Sequence, residues 1–242
     1  MNILNIATYR FVRLEQLAAL RDSLLELCSS EKLRGTILLA PEGINLFLAG
    51  TASGVARLRE ALEADPLLRG MDVKESWSRE MPFKRLKVKI KKEIIAFGVP
   101  GIDPARAPAQ PLSAATLKSW LDQQRAVRLV DTRNAFEVAH GTFEGAIHLG
   151  NDSFRGFAEV AVDLPLTDPD TPVVTFCTGG IRCEKAAPLL RALGHRNVYQ
   201  LEGGILRYLE SAGSAHFRGN CFVFDERLSL DAELLPQNIE QL

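Results

Sequence analysis

Within six residues, Cys177-Thr178-Gly179-Gly180-Ile181-Arg182, the chain groups a thiol, two glycines and a guanidinium, and a second thiol, Cys183, follows at once. Ahead of this loop, Val173, Val174, Thr175 and Phe176 read as a short buried strand; behind it, "EKAAPLLRALG" reads as a helix ending at Gly194. A thiol placed where a strand feeds a helix faces the helix's unpaired N–H groups and the positive end of its dipole. Both favour thiolate over thiol, and the charge of Arg182 adds to them. Gly179 and Gly180 let the backbone turn its amides inward around an anion. The pattern predicts that Cys177 is a low-pKa nucleophile in an anion cradle formed by Thr178, Gly179, Gly180, Ile181 and Arg182. Five residues separate the two cysteines, too many for the knuckle of a zinc site. Cys183, about one turn into the helix, reads either as a resolving thiol or as a small packing residue. Pro188 lies beyond the first turn, where it should kink the helix axis.

The elements that must hold this loop come next. Residues 113–212 begin with a helix that Ser113 can cap, and then "RLVDTR", "GAIHLG", "TPVVTF" and "NVYQLEGG" read as strands with helices between them. That alternation predicts an α/β domain with a mostly parallel sheet covered on both faces. Ligands collect at the carboxyl ends of such strands, so Asp131 and Arg133, Cys177, and Gly203 with Gly204 should converge on one site. Residues 213–242 form a C-terminal extension. Upstream, residues 1–98 read as strand, helix, strand, strand, helix, strand, strand. The first helix runs from Leu14 to about Cys28, "GTILLA" and "NLFLA" form a hairpin about "PEGI", and Thr51 or Ser53 caps a second helix that stops before Pro66. A βαββαβ order is the ferredoxin-like, or acylphosphatase-like, α+β pattern. Between the two, residues 99–112 hold four of the twelve prolines and read as a semi-rigid linker.

The 242 residues are 46% hydrophobic and 24% charged, ordinary for a globular protein, and no apolar run approaches the ~20 residues of a membrane span. The N-terminus lacks the basic start and long apolar core of a secretory leader. Four cysteines without framework spacing suit a reducing compartment, so a cytoplasmic protein is expected. The net charge of −1 is unevenly divided: residues 1–98 carry 16 Lys and Arg against 12 Asp and Glu, and residues 99–242 carry 13 against 18. An anionic partner would therefore lie along the first half. "FKRLKVKIKK" follows Arg85 with Lys87, Lys89 and Lys91 on one strand face. Such a stripe either tracks RNA phosphates or guards a solvated edge strand. His140, His148, His195 and His216 have no metal spacing, and there is no flavin, haem or nicotinamide fingerprint, so no metal and no organic cofactor is predicted. Trp77 and Trp120 are expected in the core. Glu42 and Asn45 belong either to a plain turn or to a surface facing the other domain and a substrate.

"CTGGIR" resembles the active-site loop of rhodanese domains, in which a cysteine carries a transferable persulfide sulfur. The likeness spans residues 113–212 and includes "LVDTRNAFEVAHGTFEGAIHLG" and "LEGGILRY". Four residues separate Cys177 from Arg182, one fewer than in the related cysteine phosphatases, and the narrower cradle argues against phosphatase chemistry. Taken over residues 2–230, "APEGIN", "FRGFAE", "CTGGIRCEKA" and "GNCFVFDERL" resemble the oxygen-dependent tRNA uridine hydroxylases, a group of two-domain rhodanese-like proteins. Leu46-Phe47 and Gly141-Thr142-Phe143 depart from the usual Gly-Thr and Gly-His-Phe of that group.

The resemblance implies a tRNA partner, molecular oxygen as co-substrate, and hydroxylation of the wobble uridine at C5 to 5-hydroxyuridine. C5 of uracil is a poor nucleophile until something adds at C6. A thiolate at C6 gives an enolate with carbanion character at C5, and the amides of residues 178–182 suit either the thiolate or the enolate oxygen. Asp131 and Arg133, joined by Glu137, are expected to support the loop through ion pairs. Sulfur transfer from thiosulfate or a persulfide is the alternative that the same loop supports; a non-catalytic RNA adaptor is a weaker one. No protein partner or membrane is predicted.

Overall fold

A computed structural model describes residues 2–165 and 168–237. The chain divides into two compact units, one reaching to Ile95 and including Asp225–Arg227, the other made of Ala96–Phe224 and the residues from Leu228 on.

In the first unit the chain runs β1 (Ile3–Phe11), α1 (Leu17–Ser30), β2 (Arg34–Ala40), β3 (Gly43–Gly50), α2 (Ala52–Ala64), β4 (Lys74–Ser78) and β5 (Leu86–Ile90). The sheet order is β4-β1-β3-β2-β5. Its first four strands are antiparallel neighbours, the ferredoxin-like arrangement, and β5 extends it by pairing parallel to β2. Alternate residues explain the layering: Ile37, Leu39, Ile44, Leu46 and Leu48 are fully buried and join Leu24 and Cys28 of α1 with Val55, Leu58 and Leu62 of α2 in one core. Thr51 caps α2 by accepting from the Gly54 amide at 3.1 Å. α1 starts at Leu17, later than its apolar pattern suggests, because Leu14 is buried in the passage from β1 and its amide bonds to Pro41 O. The hairpin needs glycine at 43, where φ is 147° and a Cβ would sit 2.0 Å from Arg10 O. Ile94 N donates to Glu42 Oε1 (2.8 Å) and Asn45 Nδ2 donates to Ile94 O (3.1 Å), so both side chains tie the hairpin to its own unit.

Two expectations meet the edges of this sheet. Trp77 is not a core residue: it lies on β4, which among the described residues is an edge strand paired with β1, and it is 48% exposed. On the opposite edge Val88 lies across from Ile37 and packs against the core, which turns Lys87 and Lys89 to the other face, opposite Thr36 and Leu38. Lys91 follows the strand end, its amide bonded to Leu39 O.

The second unit contains β6 (Gln110–Leu112), α3 (Ala114–Asp122), β7 (Arg128–Asp131), α4 (Ala135–Val138), β8 (Gly141–Phe143), β9 (Ile147–His148), α5 (Phe154–Val160), β10 (Val173–Phe176), α6 (Cys183–Ala192), β11 (Val198–Leu201), α7 (Gly204–Ala212), β12 (Phe217–Gly219), β13 (Cys221–Phe222) and β14 (Ser229–Leu230). Five strands in the order β6-β11-β10-β7-β9 form an all-parallel sheet. β6 is the end of the proline-rich segment, and its Pro111 sits on an edge where the missing N–H is tolerated. β10 is buried at all four residues. Val174 and Phe176 meet Leu117 of α3 with Ile205 and Tyr208 of α7, whereas α6 packs on β10 and β11. Phe143 plugs one end of this core, with Phe176, Tyr208 and Phe217 edge-on at 4.9, 4.7 and 5.3 Å. Trp120 is half-buried against it, edge-on to Tyr199. Ser113 and Ser153 cap α3 and α5 through the amides of Thr116 and Gly156. α6 runs through Pro188 as one element. Among the described residues no helix is long and apolar enough to cross a membrane.

Candidate active site

Cys177 follows the last residue of β10 and is fully buried. Its Sγ accepts from Gly180 N at 3.1 Å, which requires the loop to double back; Gly180 does so with φ of 97°. The Arg182 amide and the Cys183 thiol stand close enough to favour the anion on the same sulfur. Cys183 is the first residue of α6, not one turn into it, and this is why its side chain reaches the loop. Burial by itself would push the Cys177 thiol up. The Cys183 S–H, the Arg182 charge and the two amides outweigh that cost and hold Cys177 at about 5. Cys183 moves the other way, well above the usual thiol range, through burial and the neighbouring thiolate. The opposite shifts favour the anion on Cys177 and the proton on Cys183.

Arg182 owes its position to Glu137. Burial disfavours the guanidinium's charge, but two bonds of 2.6 Å to the Glu137 carboxylate, together with the Cys177 sulfur, keep it protonated. Glu137 itself is fully buried on α4, where its Oε2 also accepts from the Asn134 amide. Asp131 and Arg133 form a second buried ion pair, Nε to Oδ1 at 2.9 Å and Nη2 to Oδ2 at 2.7 Å. Two further side-chain bonds run to β8: Arg133 Nη2 to Gly141 O, and Thr142 Oγ1 to Asp131. Asn151 Nδ2 and the His148 ring bond the Arg133 carbonyl. This pair fixes the chain that carries α4, and through Glu137 the arginine of the loop. The outer side of the loop is pinned by α7, whose Ile205 and Leu206 amides donate to the carbonyls of Cys177 and Thr178. Gly204 permits the approach: its φ is 67°, and a Cβ there would meet Cys177 O at 2.4 Å. Gly179 is half-buried with open space where a Cβ would stand, so the loop has one free side.

Sequence reasoning did not single out Phe136, Phe222 or Phe224, yet β13 lies against the cradle, with Thr178 Oγ1 donating to Phe222 O. The alternation of Cys221, Phe222, Val223 and Phe224 was the signal that could have found two of them. His195 is buried, and His216 bonds Asp122. Among the described residues no three of His, Cys, Asp and Glu gather as a metal site. Arg85 lies in the first unit, on the wall of an open groove of about 650 Å³ that Lys32 and Arg34 also line.

Residues 3–94 match the UPF0176 acylphosphatase like domain, and residues 113–211 match the Rhodanese-like domain. A tRNA uridine(34) hydroxylase of Bordetella parapertussis is 48% identical over 235 residues, covering 97% of this chain and 98% of that protein. Proteins of the same name from Ralstonia nicotianae and Variovorax paradoxus are 48% and 49% identical, covering 100% and 96% of this chain and 87% and 90% of their own.

Proposed function

Because this chain belongs to the tRNA uridine(34) hydroxylase family, we propose that it hydroxylates C5 of the wobble uridine of tRNA with Cys177 as the nucleophile. The observation that carries this reading is a fully buried sulfur held as thiolate at the end of a parallel strand, with a guanidinium and amides directed at it. A thiolate in that cradle adds to C6 of uracil, and the C5–C6 electron pair moves onto C5 and the C4 carbonyl oxygen as an enolate. Dioxygen, the co-substrate in this reading, takes that electron pair at C5 and, with a proton, becomes a C5 hydroperoxide. Two equivalents of a thiol reductant from solution then reduce its O–O bond, releasing the outer oxygen as water, leaving the hydroxyl on C5 and becoming a disulfide. When the C5 proton later leaves, the C6–S bond breaks and the thiolate returns to its amides. Low pKa serves both halves, since the same stabilised anion is attacking group and leaving group. Ile181, Gly179 and Thr178 complete the cradle wall, Arg182 supplies its charge, and Glu137 holds Arg182. Asp131 and Arg133 act as positioning residues behind Glu137. Cys183 keeps a proton pointed at the working sulfur and is placed to resolve an oxidised Cys177.

Arg85, Lys87, Lys89 and Lys91 offer the first unit's positive track to the tRNA backbone, consistent with the surplus of Lys and Arg before residue 98. The protein works in this reading where tRNA is, in the cytoplasm, and needs no bound organic cofactor. The same cradle would also stabilise a persulfide, so sulfur transfer is the competing chemistry.

Incubation with wobble-uridine tRNA under ¹⁸O₂, followed by nucleoside mass spectrometry, separates the two. Hydroxylation gives 5-hydroxyuridine carrying one heavy oxygen. If the tRNA is unchanged under every reductant tried while thiosulfate and cyanide give thiocyanate, the protein is a sulfurtransferase.

A further inference from the structure

Three phenylalanines stand beside the cradle in an arrangement that folding alone does not require. Phe136 and Phe224 are 48% and 54% exposed, although a phenyl ring gains most by full burial. Phe222 lies 5.2 Å from both, at 85° to Phe136 and 86° to Phe224, and Phe136 and Phe224 are 6.3 Å apart at 89°. All three pairs meet edge to face, and the exposure of Phe136 and Phe224 leaves aromatic surface open to solvent. Their backbone anchors are those of the active loop. Phe136 immediately precedes Glu137, whose carboxylate grips Arg182. Thr178 Oγ1 bonds the Phe222 carbonyl at 3.3 Å. The Phe224 ring lies 5.9 Å from the Arg182 guanidinium. Strand periodicity explains why the rings cluster: Cys221 and Val223 turn into the core, which puts Phe222 and Phe224 on the opposite side together.

We infer that Phe136, Phe222 and Phe224 form a stacking platform for an unpaired base of the RNA strand, the target uracil or its neighbour in the anticodon loop. The inference rests on the hydroxylase reading of Cys177. A base held in a duplex or a stacked loop cannot present C6 to a sulfur that lies below the surface, so it must be splayed out, and splayed bases are held by stacking on aromatic rings. An aromatic face supplies this without choosing among bases, which suits a site that must order a flexible loop before the chemistry. The Arg182 guanidinium, 5.9 Å from the Phe224 ring, joins this apolar stacking surface to the cradle. It is distinct from the lysine track of the first unit, which offers charge and no aromatic surface in β5.

Full-length Phe136→Ala and Phe224→Ala variants test it, because half-exposed rings can be removed with little loss of folded protein. Binding to an anticodon stem-loop RNA should weaken about ten- to a hundredfold in each variant. The dependence of log Kd on log salt should keep the wild-type slope, since stacking releases no counterions. Phe136→Tyr and Phe224→Tyr should restore binding, and Phe136→Leu and Phe224→Leu should not. Wild-type affinity in the alanine variants, full rescue by leucine, or a flattened salt slope would each overturn the platform. Wild-type protein that forms 5-hydroxyuridine alongside unaffected phenylalanine variants sinks this inference alone; wild-type protein that forms none under any reductant sinks the hydroxylase reading.

Discussion

Cys28 and Cys177 are equally buried, and their thiols titrate at opposite extremes. Cys28 sits on α1 among Leu24, Leu33 and the sheet of the first unit, where burial pushes its thiol up to about 12. Burial pushes the Cys177 thiol in the same direction, yet it is held at about 5. Cys221, a third fully buried thiol, behaves like Cys28 although it lies in the same unit as the cradle. Burial therefore does not make a reactive thiol, and neither does proximity to the site. What distinguishes Cys177 is that donors have been brought to its sulfur: two amides, one S–H and a guanidinium.

Removing the sulfur from each region should give the widest separation. Cys177→Ser is expected to lower 5-hydroxyuridine formation by about a thousandfold or more, because a serine hydroxyl stays protonated at neutral pH. Cys28→Ala should keep activity within about twofold and lose roughly 1 kcal/mol of stability, an ordinary packing cost. Nucleoside mass spectrometry and urea unfolding read the two effects.

Breaking the donor set comes next. Arg182→Ala leaves the buried carboxylate of Glu137 without its partner, which should cost about 3–5 kcal/mol of stability. It should also shift the pH midpoint of Cys177 alkylation up from about 5 towards the ordinary thiol value of ~8.5. A midpoint that stays near 5 would mean that the amides and Cys183 suffice. The unaltered protein sets the sign: the thiolate exists above the folded pKa, so alkylation should be level through neutral pH and decline as pH falls through about 5. Cys183→Ala removes one donor and should raise the same midpoint by less than Arg182→Ala does, while Cys183→Ser, which still donates, should hardly move it.

How far this contrast was legible beforehand depended on sequence distance. The strand, cysteine, glycines, arginine and helix are contiguous, so the cradle and its low pKa followed from local rules. The ferredoxin-like order and the parallel sheet followed from alternating periodicities for the same reason. Pairings across the chain did not. Glu137 lies 45 residues from Arg182, and only the folded structure shows that it, rather than Asp131, binds that guanidinium. Trp77 carries a composition that suggests a core but falls on an edge strand, which no local pattern announces. Phe222 and Phe224 carry a four-residue alternation with Cys221 and Val223, but nothing in it says that the strand lies beside the cysteine loop, 44 residues away at Thr178.

The smallest expected effect concerns the surface, where neither thiol is involved. Replacing Lys87, Lys89 and Lys91 with alanine should weaken binding to different tRNAs alike and flatten the salt slope by roughly 0.7–0.9 per lost phosphate contact. Cys177 alkylation should be unchanged. Unaltered affinity and slope would make the lysines a solvated edge and move the tRNA elsewhere on the protein.

The central claim, that the Cys177 thiolate adds to C6 and makes C5 nucleophilic, can be tested without the oxygen step. Wobble-uridine tRNA incubated with the protein in deuterated water under strict anaerobiosis should exchange the C5 hydrogen of that one uridine, because reversible addition lets C5 pick up and lose solvent deuterons. Mass spectrometry of the isolated nucleoside should show one added deuterium with the unaltered protein and none with Cys177→Ser. Protein that makes 5-hydroxyuridine in air yet catalyses no exchange without oxygen, or exchange that persists in Cys177→Ser, would contradict the account.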